Sequence, residues 1–162
     1  MGRGSLLPLE GKFWDFLAGD PPPAQKIRDI LSILAWVRVE FPACKIHLRA
    51  GGVSGLWAAM AAVLDSRRVA SLYITGAPLD FADMVETRLP GYNQELILPG
   101  ILTRLDMQQV FMALCPMPVS LHAPLRADRS PAEISFSRNR FRLVSDYYQE
   151  NGKPANWIIR TE

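Results

Sequence analysis

The sequence predicts an α/β fold: a three-layer sandwich on a mostly parallel sheet of about four strands, with helices on both faces. Three observations carry this. Short strand-like runs alternate with helical stretches of ten or more residues, which demands parallel pairing through right-handed crossovers. The run Val69 to Thr75 is made mostly of apolar and β-branched residues, which suits a sheet covered on both faces. A strand, a small-residue turn and an alanine-rich helix follow one another from Ile46, the start of a βαβ unit.

Residues 1–23 are rich in Gly and Pro, contain Phe13, Trp14 and Phe16, and end in Pro21, Pro22 and Pro23. They read as an N-terminal arm, and residues 24–162 as one domain. From Ala24 to about Glu40 the apolar residues Ile27, Ile30, Leu31, Leu34 and Val37 recur every three or four positions, which predicts an amphipathic helix lying on the sheet and ended by Pro42. Lys45 to Arg49 is the first strand, Ala50-Gly51-Gly52 the turn, and Gly55 to Asp65 the next helix. Val69 to Thr75 is the second strand. A short helix is expected around Asp80 to Thr87, then a loop with Pro90, Gly91, Pro99 and Gly100, then a helix from about Met107 to Leu114. Pro118 to His122 is the third strand. A polar loop over 123–132 leads to one long helix from about Phe136 to Glu150, stopped by Asn151-Gly152, and Trp157 to Thr161 is the fourth strand.

Composition bounds the function. The chain of 162 residues is 49% apolar and 21% charged, within the range of one globular domain. Its formal charge of +2 is scattered rather than gathered into a stripe, so no nucleic-acid partner is expected. The first twelve residues lack a secretory apolar core and no segment is long enough to span a bilayer, which predicts a cytoplasmic chain with no membrane partner. Cys44 and Cys115 have no His or Cys at metal-ligand spacing and read as core-packing residues. No metal or cofactor is expected.

The segment Ile46 to Trp57 is the most informative, because a strand entering a small-residue turn and then a helix mounts two chemistries. As a dinucleotide site, Ala50, Gly52 and Gly55 would fill the small positions of a G-x-G-x-x-G fingerprint, but the following strand ends Ile74-Thr75-Gly76-Ala77 without the acid that holds a ribose. As a nucleophile elbow, G-x-S-x-G, the turn would present a strained serine above the sheet.

The stretches Phe13 to Gly19, Gln25 to Val39, Gly55 to Ala62, Gly76 to Asp83, Leu98 to Leu102 and Cys115 to Pro118, in this order and spacing, resemble the bacterial acetylxylan-esterase-like branch of the α/β-hydrolases over about residues 10–128. The resemblance is to the C-terminal half of that domain and begins partway through it. It implies an elbow with Ala50 at the first glycine, Gly52 at the nucleophile and Ser54 at the last glycine. Glycine has no side chain with which to form an acyl-enzyme. It implies an acid just after the third strand, where Arg126 stands and where Asp128 could serve only if the loop moved by two residues. The triad histidine would follow the last strand, beyond Glu162.

Two histidines remain. His47 precedes the elbow by about 16 Å of strand, at the far end of the sheet. His122 lies at the C-terminal end of its strand, the edge where open α/β sheets bind ligands. An unorthodox ester-hydrolase site would therefore use Ser54 as nucleophile, His122 as base and Asp128 as orienting acid, with N–H groups near Val53 as oxyanion donors and a small ester as substrate. The plainer readings are a helix-capping Ser54 and a buried, hydrogen-bonded His122. Asp80, Asp83 and Glu86, at three-residue spacing, suggest paired carboxylates for a metal or for acid–base work, or a solvated helix face. Trp14, Trp36, Trp57 and Trp157 could line a sugar groove, although core packing suits most of them. Cys115 precedes its strand and should face away from the site. The resemblance puts one strand between Cys44 and Cys115, about 9.6 Å and beyond disulfide reach.

The expectation is a hydrolase-like domain of esterase ancestry without a complete triad, serving as a binding or assembly module or surviving as a remnant of a longer esterase gene. The alternative is a carboxylic-ester hydrolase completed by another chain or by unorthodox residues. The first strand would be an open edge, which predicts a homo-oligomer or a partner chain there unless the arm folds over it.

Overall fold

The computed structural model describes residues 19–92 and 96–161. The expectations for Phe13, Trp14 and Phe16, and for most of the arm, lie outside the described residues.

Helix α1 spans Pro22–Glu40. It begins two residues earlier than its apolar period suggests, because Pro22 and Pro23 occupy the first turn, where a helix has N–H groups without partners and proline forfeits nothing. It stops as predicted, with the Phe41 N–H on the Val37 carbonyl just before Pro42. Its principal partner is the next helix rather than the sheet. Of its apolar residues only Pro23 and Leu34 are buried, and Trp36, expected in the core, is 59% exposed and meets Phe41 edge-on.

Strand β1 (Ile46–Gly51), helix α2 (Ser54–Leu64) and strand β2 (Val69–Thr75) form the predicted βαβ unit. Helix α3 (Phe81–Glu86), helix α4 (Met107–Ala113) and strand β3 (Val119–His122) follow. Strand β4 (Trp157–Arg160) closes the sheet. The four strands are all parallel, in the order β1-β2-β3-β4. The fold is the α/β class that the alternation of strands and helices predicted.

The expected single helix over 136–150 is two: α5 (Ile134–Arg140) and α6 (Arg142–Glu150), separated by Phe141 at φ −104° and ψ 24°. Phe141 is fully buried, its ring 5.4 Å from Phe111 and 5.8 Å from Trp157. The buried residues Ser137, Phe141, Val144 and Tyr148 keep helical spacing through the break, so α5 and α6 present one continuous face to the core.

Strand alternation sorts the sheet. Leu48, Leu72, Ile74, Val119, Leu121 and Ile159 face the core cluster with α2, α4 and α6, whereas His47, Arg49, Tyr73, His122 and Arg160 fall on the alternate positions and are half or fully exposed. Helix α2 buries every residue from Gly55 to Ala62. Glycine is required at 55, because a Cβ there would stand 2.5 Å from the Ile74 Cγ2. Cys44 is exposed, against the expectation of core packing, and Cys115 is half-buried; both are free thiols, with β2 between β1 and β3. Among the described residues no helix is long and apolar enough to cross a membrane.

Candidate functional site

The strand–turn–helix is built as its residues require. Ala50 and Gly51 end β1, and the Gly52 N–H donates to the Thr75 carbonyl at 2.8 Å, tying the turn to β2. Gly52 has φ +60°, a left-handed backbone that side chains rarely adopt. Val53 sits at the helix cap without a side-chain bond, and Ser54 is the first residue of α2. The exposed Ser54 hydroxyl donates to the Gly51 carbonyl at 2.7 Å. Ser54 lies inside the helix and Val53 at the cap, with no side-chain cap bond, so the capping reading is corrected: the serine ties the helix back to its own turn.

His122 ends β3, half-exposed, with its ring 4.6 Å from the Tyr73 ring at 33°. Across the same face Arg49 lies over Tyr73 at 4.8 Å. His47 lies toward the N-terminal end of β1, where its Nδ1 is 2.6 Å from the Ser71 Oγ. Asp128 is exposed in the loop after β3 and accepts from the Ser130 N–H at 2.9 Å and the Ser130 hydroxyl at 2.6 Å. Those bonds hold its carboxyl below the usual range.

The three acids near α3 form a clamp rather than a solvated face. Asp80 and Asp83 are 0% and 1% exposed. Asp80 caps α3 by accepting from the Asp83 N–H at 2.8 Å, and it takes the Arg140 guanidinium, whose Nη2 is 3.0 Å away. Arg140 also reaches the exposed Glu86 at 3.3 Å. Asp83 holds Arg126 through Nε at 3.0 Å and Nη2 at 2.8 Å, and accepts the Ala127 N–H at 2.7 Å. Hydrogen bonds to the partner carboxylates push both guanidinium pKa values further up. Arg126, which stands where the resemblance implies the triad acid, thus has a carboxylate from another element as its partner and stacks over Phe136 at 4.1 Å.

One residue was not picked out from the sequence. Asp106 forms a capping box with Gln109 at the start of α4, and its carboxylate also accepts the N–H groups of Phe81 at 2.9 Å and Ala82 at 3.0 Å. The Asp106-x-x-Gln109 spacing is a visible capping signal; its second duty, pinning α3, is not. Among the described residues no group of three His, Cys, Asp or Glu side chains could hold a metal ion. Against this geometry, no protein-family model, curated protein or solved structure matches the chain. What its own geometry defines is a small parallel α/β domain whose strand–turn–helix offers one hydroxyl, Ser54, already donated to the backbone.

Proposed function

We propose that this chain is an α/β-hydrolase-like domain of esterase ancestry that has no working triad and acts as a binding or assembly module. The observation that carries this reading is Gly52. It holds a left-handed turn at the position the resemblance assigns to the nucleophile, which supports a reading of the turn as an elbow without its reacting atom. Arg126 supports it from the second position of the triad, since its guanidinium is engaged by Asp83 and cannot orient an imidazolium. The assembly half of the reading is supported by β1, which among the described residues pairs only with β2 and leaves its outer edge open.

The test is hydrolysis of 4-nitrophenyl acetate by the purified chain, by Ser54→Ala and by a blank without protein. All three rates coincide on this reading. A wild-type rate above the blank by several orders of magnitude, abolished in Ser54→Ala, would replace it with an ester hydrolase that uses Ser54, His122 and Asp128.

A further inference from the structure

We propose that the cavity between α3 and the segment from Leu96 to Thr103 binds an uncharged, apolar small molecule, the size of a medium-length alkyl chain or a substituted aromatic ring. The inference rests on the binding reading above and names its ligand class. Phe81, Met84 and Val85 of α3 line one side, and Leu98, Ile101 and Leu102 the other, around a volume of about 550 Å³. Small-ligand sites span roughly 300–1,000 Å³ and are lined mainly by apolar side chains.

The chemistry of the lining selects the ligand. Among the described residues no charged side chain lines the cavity, and its hydroxyls come from Tyr92 and Thr103. The Thr103 hydroxyl is already donated to the Gly100 carbonyl at 2.7 Å. The Tyr92 hydroxyl is buried and has no hydrogen-bond partner among the described residues; a charged ligand would find that one neutral group and no countercharge along the described lining, too little to offset its lost hydration. An alkyl or aryl group, in contrast, removes apolar wall from water at each contact.

The cavity is also held open by design of its supports. Helix α3 is too short to be stable by itself. Its N-terminus is pinned by Asp106, and its inner side is fixed by the Asp80–Arg140 and Asp83–Arg126 ion pairs. The opposite wall is a 3-10 turn, Ile101–Thr103, entered through Gly100 at φ +73°. This frame keeps large apolar side chains in water around one concavity: Val85 is 75% exposed, Ile97 51% and Leu102 42%. Such concentrations on a small domain mark a binding site. A protein partner would need roughly 800 Å² on each side, whereas these walls come from one six-residue helix and one short loop.

The experiment is a fluorescence titration of the full chain with N-phenyl-1-naphthylamine, a neutral dye that brightens in apolar surroundings. Val85→Asp and Leu102→Asp place a charge on opposite walls at exposed positions that the fold does not need. Val39→Asp, on α1, controls for general surface adhesion. The wild type should saturate at one site, each cavity variant should weaken binding by about tenfold or more, and Val39→Asp should leave it unchanged. Decanol should displace the dye at least about tenfold better than decanoate does. The proposal is overturned by absence of saturation, by equal weakening in all three variants, by equal displacement by decanoate, or by a signal that depends on protein concentration, which would mark a second copy as the occupant. The same samples are assayed with 4-nitrophenyl acetate: turnover removes the non-catalytic reading and leaves the cavity result standing, while loss of binding without turnover removes the cavity alone.

Discussion

Asp83 and Arg126 carry the strongest consequence at the level of single residues. Asp83 is buried and accepts three side-chain and backbone N–H bonds, so removing its cation strands a charge out of water. Arg126→Met should lower stability to urea by about 2–3 kcal/mol, at the low end for a broken buried pair because Arg126 remains 35% exposed. Glu86→Gln, at the exposed end of the other pair, should cost under about 0.5 kcal/mol in the same measurement. Ser54→Ala removes one exposed hydrogen bond and should cost no more than about 1 kcal/mol. Arg126, Gly52 and Ser54 stood out in the sequence through the resemblance alone. The sequence could not reveal that Arg126 is answered by Asp83, because a charge pair 43 residues apart leaves no local pattern.

At the scale of elements, ends and breaks matter more than middles. Asp106 caps α4 and pins α3 at once, so Asp106→Ala should cost more than the roughly 1 kcal/mol of an ordinary cap, about 2 kcal/mol by thermal denaturation, and should loosen α3 together with α4. Helix α6 contributes a pH dependence through Tyr148. Its buried hydroxyl donates to the Met117 carbonyl at 2.9 Å, and burial, reinforced by Cys115, pushes its pKa well up. The unfolded phenol ionises near pH 10 while the folded one stays protonated. The contribution is therefore complete below about pH 10 and is lost above it, at up to about 1.4 kcal/mol per pH unit. Tyr148→Phe should flatten that alkaline decline in denaturation curves measured from pH 8 to 11. The sequence located the core of each described α-helix, yet it missed the 3-10 turns Ile101–Thr103 and Pro154–Asn156 and the break at Phe141. Apolar spacing runs unbroken through Phe141, so nothing in the pattern marked it, and the contacts of Phe141 with Phe111 and Trp157 are tertiary.

For the whole molecule, the alternation of strands and helices was enough to fix a parallel α/β sheet, because parallel neighbours leave few ways to connect. The placement of α1 was less legible: an apolar stripe says that a face is covered but not whether a sheet or a helix covers it, and here α2 does. Hydrogen exchange should rank the strands. Amides of β2 and β3, paired on both sides, should exchange slowest, and those of β1 faster. Protection of β1 that grows with protein concentration would mark assembly at its outer edge, and protection independent of concentration would argue against it. The sheet order has one more consequence. Each strand lies beside the strand made just before it, so no pairing waits for a distant part of the chain. The partners Leu48 and Leu72 are nearer in sequence than Leu72 and Val119, so the β1-α2-β2 unit closes the shorter loop. During synthesis that unit can form before β3 and β4 have emerged from the ribosome, and the later strands then add one at a time to a growing template.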